Sequence, residues 1–265
     1  MTHMDIKIMI AAHKKCWIPE DEMYLPIHVG KALSKEEFGY THDDTGANIS
    51  DKNPVYCELT AVYWAWKNLT ADYIGLVHYG RLFAGKQVKR HWVKDKRPYV
   101  LKQKELAPVM HTVDVILPKR RKYYIETLYS HYAHSHGEEQ LKMTRQIIEE
   151  LCPEYLDAFD IVMKRTWGNM FNMFIMKQEY FQQYCGWLFP ILEELEQRID
   201  TSEMSAFEKR YIGRISECLM NVWIEKERIQ YREMDWIYLR KINYFKKGIS
   251  FLKAKFFHKK YKSSF

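Results

Sequence analysis

The chain has 265 residues, 47% hydrophobic and 28% charged, with a formal net charge of +7; this balance excludes intrinsic disorder and suits one large α/β domain with an appendage. No stretch reaches the ~18 uninterrupted apolar residues that a membrane-spanning helix needs, and the opening MTHMDIKIMIAAHKK carries no small-residue cleavage site, so no signal peptide is expected. Five scattered cysteines without a CxxC pair point to a reducing, cytoplasmic setting with neither a disulfide framework nor a thiolate zinc site.

Along the chain, KIMIAA (7–12) reads as a buried first strand emptying into His13, Lys14 and Lys15. Residues 21–50 read as irregular, with Pro26, Gly30, Gly39 and the polar run THDDTGANIS. Pro54 opens one helical segment, VYCELTAVYWAWKN, whose Leu59, Val62, Tyr63 and Trp66 share a face. YIGLVHY (73–79) is short and rich in β-branched and aromatic residues, hence a second buried strand. Residues 84–105 form a basic, polar excursion, and VDVIL (113–117), stopped by Pro118, is a third strand. Helical pattern covers 138–151, NMFIM (172–176) is a fourth strand, and helices follow over about 179–198 and 205–228. Strands alternating with helices imply an α/β sheet with helices on its faces.

The positive charge sits at the end of the chain. Nine basic and no acidic residues fall in 239–265, leaving 32 basic against 34 acidic in 1–238. Ile242, Phe245, Ile249, Leu252 and Phe256 form one helical stripe flanked by lysines, which suits docking on an anionic bilayer surface. The expected parse is a body over 1–238 and a basic amphipathic helix over 239–265. A nearly neutral body without a recognition motif argues against nucleic acid as a partner.

Familiar catalytic signatures are missing: no GxGxxG, GxxxxGK[ST], GxSxG, HExxH or Asp-x-Asp occurs. His131, His134 and His136 lack an obvious further ligand, so they read as a polar rim or a substrate contact rather than a zinc site. The loop from Asp44 through Asn48 to Ser50 concentrates short polar side chains beside a helix bearing Glu58, Tyr63, Trp64 and Lys67. That is an ordered turn or a sugar grip: hydroxyls suit Asp and Asn, and a sugar face suits an aromatic plate. Arg214 and Glu217, at i and i+3, are an exposed ion pair or a general base kept ionised by its neighbour.

Taken together, DDTGANISDKNPVYCELTAVYWAWKN (43–68), YIGLVHYGRLF (73–83), VDVILPKRR (113–121), GNMFNMFIMKQEYFQQYCGWLFPIL (168–192) and RISECLMNVWI (214–224) resemble one bacterial family. It is the family of glycosyltransferases encoded in capsular and cell-wall polysaccharide clusters, long known only as a domain of unknown function, of which some members are similar to β-1,3-galactofuranosyltransferases. The resemblance implies a GT-A-like α/β domain, with a mainly parallel central sheet flanked by helices and a nucleotide sugar held at the C-terminal strand edges. It implies a UDP-sugar donor bordered by Ala11, Ala12, His13 and Lys14, with His78, Tyr79 and Arg81 at the diphosphate. There the cations would replace the usual divalent ion, so no cofactor is expected, although a divalent cation stays open. The common family form of that stretch is His-Tyr-Arg-Arg-Tyr-Phe, from which Gly80 and Leu82 depart. Asn172 would lie on the acceptor side and Glu217 would be the base of an inverting transfer, with Asp114 and His136 as rival bases. The implied acceptor is a polyprenyl-diphosphate-linked glycan, reached from the inner face of the plasma membrane. The alternative is a catalytically inactive carbohydrate-binding or scaffold module of a polysaccharide-assembly complex.

Overall fold

The computed structural model describes residues 4–85 and 94–239. The expected amphipathic helix, apart from Leu239, lies outside the described residues, as do residues 86–93 of the basic excursion.

The chain begins with β1 (Ile6–Ala12), β2 (Tyr24–His28) and β3 (Thr41–His42). Helices α1 (Asn53–Tyr56) and α2 (Leu59–Asn68) lead to β4 (Tyr73–His78), β5 (Arg81–Phe83), α3 (Gln103–Met110) and β6 (Val115–Pro118). Next come β7 (Arg121–Lys122), α4 (Leu128–His136), α5 (Glu139–Leu151), α6 (Leu156–Lys164) and β8 (Trp167–Gly168). Strand β9 (Phe174–Lys177), α7 (Gln178–Arg198), α8 (Tyr211–Lys226), β10 (Tyr231–Met234) and β11 (Trp236–Tyr238) complete the described chain. These elements form two compact units: Met1–Lys119 with Phe171–Gly186 and Ile229–Arg240, and Arg120–Met170 with Trp187–Arg228, each so far as it is described.

The first unit holds the expected mainly parallel α/β sheet, in the order β10-β6-β9-β4-β1-β2-β3. Strands β1 to β4 pair in parallel, and β9 runs antiparallel between β4 and β6. Ile8, Met9 and Ile10 of β1 and Ile74, Leu76 and Val77 of β4 are wholly buried, which is why these strands read as continuous apolar runs rather than alternating ones. Gly75 lets β9 come close: a Cβ there would lie 2.9 Å from the Phe174 carbonyl oxygen. Because β9 is reversed, its first residues reach the same sheet edge as the last residues of β1, β2 and β4.

Two expectations fail here. Residues 21–50 contain β2 and β3, despite Pro26; its missing N–H is tolerated because β3 joins β2 only at Ile27 and His28. The single helix expected from Pro54 is broken at Cys57, which adopts a φ of 55°, so that Glu58 becomes the N-cap of a new helix.

In the second unit α8 is the core element, with Ile212, Ile215, Leu219, Val222 and Trp223 buried. Asn221 of α8 secures the residue after β8 in both directions: it accepts from the Asn169 N–H at 2.8 Å and donates to the Asn169 carbonyl at 3.0 Å. Such two-way pairing satisfies a buried amide. Helix α4, which no sequence pattern announces, is capped by Thr127, whose hydroxyl accepts from the Ser130 N–H at 3.0 Å.

Candidate active site

The C-terminal edge of the parallel strands in the first unit gathers several expected site residues, as open α/β sheets do with ligands. Ala11 pairs with His78 across β1 and β4, and its carbonyl accepts from the Tyr79 N–H at 3.3 Å. The Tyr79 ring in turn meets His13 edge-on at 5.3 Å and lies 5.6 Å from the Lys14 ammonium. The donor-side residues read from the sequence therefore come together.

His78 Nε2 lies 2.9 Å from the Phe171 carbonyl oxygen. A carbonyl only accepts, so Nε2 carries a proton in this contact. The Glu58 carboxylate is 3.7 Å from the same nitrogen. The same carboxylate oxygen, Glu58 Oε1, accepts from Asn172 Nδ2 at 2.8 Å. This cluster is built on strained backbone: Cys57, Phe171 and Asn172 have φ values of 55°, 84° and 50°. Non-glycine residues held there cost of order 1–3 kcal/mol each, and such strain concentrates at functional sites.

Arg81 extends the cluster. Its guanidinium lies 3.8 Å from the Phe171 ring centroid, 4.8 Å from Tyr238 and 5.9 Å from Trp236. Among the described residues no carboxylate pairs with it, and its Nε is buried without a hydrogen-bond partner. A guanidinium caged by rings keeps its fork for an anion such as a phosphate. Beside Lys14 and Tyr79 opens a cavity of about 430 Å³, lined further by Trp17, Lys94, Asp95, Lys96 and Arg97. Arg97 already serves Asp95 at 2.9 Å, so the net charge of this wall is positive. Among the described residues no group of three or more His, Cys, Asp or Glu side chains is arranged to hold a metal ion.

The expected sugar loop is mostly architectural. Asn48 donates to the Gly46 carbonyl and accepts from the Ser50 N–H. Ser50 donates to Asp43 at 2.5 Å, and Asp43 also takes the N–H groups of Gly30 and Lys31. Gly30, at φ 70°, makes that turn possible. The buried carboxylate of the loop is thus Asp43, while Asp44 is exposed near His42. Trp64 is buried and donates to Thr45 at 2.8 Å, and the Lys67 ammonium lies 3.2 Å over the Trp66 ring.

Asp114 is far from this edge. It precedes β6, where its carbonyl accepts from the Lys177 N–H, and Lys177 pairs with Tyr73 at the start of β4. His78 is five steps along the strand from Tyr73, roughly 16 Å, so Asp114 is removed as a base acting at the His78 edge. In the second unit, Arg214, His136 and Glu217 share one neighbourhood. Phe207 lies under the Arg214 guanidinium at 4.1 Å and against the His136 ring at 6.1 Å. Burial raises the Tyr132 phenol well above its usual range, and Arg214 and Glu217 both act on it.

His131 and His134 are held by a residue that no sequence motif marks. Both Nδ1 atoms contact the buried Glu126 carboxylate, at 3.0 and 2.8 Å. Burial opposes the charge on Glu126, but the hydrogen bonds from His134 and His131 outweigh it and hold its pKa below the ordinary value. His131 is pushed the other way, towards the neutral ring, by burial. His28, Phe171, Trp236 and Tyr238 are equally unmarked in the sequence; only their distant pairing partners make them conspicuous.

This sheet, with its cationic C-terminal edge, defines a glycosyltransferase-type fold: the chain superimposes on the apo structure of the bifunctional glycosyltransferase WbbM with a TM-score of 0.83 and 33% identity, over 89% of this chain and 46% of that one. It therefore spans about half the length of that protein. Residues 7–228 match the family described as a domain of unknown function, DUF4422, and the chain belongs to that family. No curated protein matches it.

Proposed function

We propose that the protein is an inverting glycosyltransferase that moves a sugar, galactofuranose in the first instance, from a UDP donor to a polyprenyl-diphosphate-linked glycan in cell-surface polysaccharide assembly. The observation that carries this reading is Arg81, a ring-caged guanidinium without a carboxylate partner among the described residues, beside His78 at the edge where α/β sheets take ligands. In the reaction the acceptor hydroxyl attacks C1 of the sugar and yields its proton to a general base, for which Glu217 is the candidate and His136 its rival. The C1–O bond to UDP breaks, and the charge left on the β-phosphate is neutralised by His78, Arg81 and Lys14. The cations Arg81 and Lys14 disfavour a divalent ion beside them, which supports transfer without a metal. Glu58 and Asn172 face the acceptor side of this cradle in the proposal. The basic stripe over 239–265 suits weak docking on the anionic inner leaflet.

The test is UDP release measured across a panel of sugar nucleotides with a lipid-linked acceptor, together with a structure bearing UDP. Release with UDP-galactofuranose and density for the diphosphate at His78 and Arg81 are expected. No release with any donor would leave the inactive carbohydrate-binding or scaffold reading in its place.

A further inference from the structure

One segment of the second unit alternates between burial and exposure from residue to residue. Tyr123 and Glu126 are buried, at 5% and 4% exposure, yet Tyr124 and Ile125 between them are 81% and 69% exposed. Scattered exposed apolar residues are ordinary on any protein. These two are adjacent, and both flanks are bolted down. The Tyr123 ring packs on His131 at 4.3 Å, and its N–H donates to the Thr166 carbonyl at 2.7 Å. Glu126 is gripped by two imidazoles. The tip itself is a γ-turn: the Ile125 N–H donates to the Tyr123 carbonyl at 2.7 Å, with Tyr124 at φ 59°. That conformation is rare and strained, and it pushes the two side chains outward instead of letting them fold back.

The tip stands at the end of the β7–β8 ribbon, directly after the consecutive cations Arg120, Arg121 and Lys122. Arg120 stacks on Trp167 at 4.1 Å. Among the described residues neither Arg121 nor Lys122 has a carboxylate partner; Arg121 lies 5.0 Å from the Tyr123 ring, and Lys122 is exposed. A tyrosine whose ring is apolar and whose hydroxyl is polar, an aliphatic neighbour and a row of cations together match the interface of an anionic bilayer. A protein partner would require a wider apolar patch than two side chains.

We propose that Tyr124 and Ile125 form a membrane-inserting tip, and that Arg121 and Lys122 hold it against anionic headgroups. Such a tip would act whether or not the chain transfers sugar, and without help from the 239–265 tail.

The test is flotation of the full chain with phosphatidylcholine vesicles, with and without phosphatidylglycerol. The paired substitution Tyr124→Ser with Ile125→Ser should lower partitioning into the anionic vesicles about tenfold. Arg121→Glu with Lys122→Glu should lower it at least as far and flatten its salt dependence, since each cation contributes roughly fivefold. Thermal melting should not move, because all four side chains lie outside the core. Wild-type partitioning by the Tyr124/Ile125 double variant, or equal binding of neutral and anionic vesicles, overturns the proposal in favour of a protein partner or no partner at all.

Discussion

The side-chain amide of Asn172 donates a 2.8 Å hydrogen bond to Glu58 across 114 residues of sequence, and both ends of that bond rest on left-handed backbone, Asn172 at φ 50° and Cys57 beside Glu58 at φ 55°. Comparing two substitutions separates strain from bonding. Asn172→Ala keeps the strained φ and loses the bond; Asn172→Gly loses the bond but is at ease there. The glycine variant should be the more stable by about 1 kcal/mol in urea unfolding, while both lose turnover by about tenfold or more, as a displaced substrate-facing carboxylate would cause. Equal stability of the two would mean that the backbone there stores no strain.

Arg81→Lys keeps the charge and discards the planar fork that stacks on Phe171, Tyr238 and Trp236. Donor affinity should fall about tenfold, roughly 1.4 kcal/mol, when measured by titration with UDP. An affinity that survives the exchange would reduce Arg81 to a point charge or to packing.

Glu217→Gln should cut turnover by about 10²-fold or more with UDP affinity retained, because a positioned base contributes about that much. A normal rate in this variant, with a depressed one in His136→Gln, would transfer the role to His136.

Activity should persist in the presence of a chelator if cationic side chains alone neutralise the leaving diphosphate. Loss of activity that manganese restores would contradict that arrangement.

Acid should weaken the fold through His131 and Glu126. Burial holds the His131 pKa below its ordinary 6.5, so as pH falls through 6.5 the unfolded chain takes up a proton that the folded one refuses, and stability drops. The pKa of Glu126 is held below its ordinary 4.5, so its contribution is present above 4.5 and is lost as pH falls through the folded value. His131→Gln keeps a donor for Glu126 and should flatten the first of these two losses in urea midpoints taken across the acid range. An unchanged slope would assign the loss to other groups, His28 first among them, since burial, Lys31 and His42 also lower its pKa.

What the sequence disclosed follows from burial. β1, β4 and β6 are interior strands with unbroken apolar runs, so they stand out by composition alone. β2 is masked by Pro26, and YREM in β10 is too polar and short to read as a strand. His78, Arg81 and Lys14 are legible because each lies just beyond, or at the end of, a recognisable strand. Glu58 and Asn172 are legible as residue types, but their bond is not, because nothing local encodes a contact between a broken helix and a reversed strand. Asp44 stands out in the sequence as readily as Asp43, because adjacent carboxylates differ only in which one turns inward, and that is decided by the N–H groups of Gly30 and Lys31.

The first unit is assembled from three separate stretches of chain, and β9, contributed by the second of them, lies between β6 and β4. Dissection by truncation is therefore closed to the experimenter: a fragment cut after Lys119 would lack the strand that joins the two halves of its own sheet. Mapping function onto this protein calls for point substitutions in the intact polypeptide.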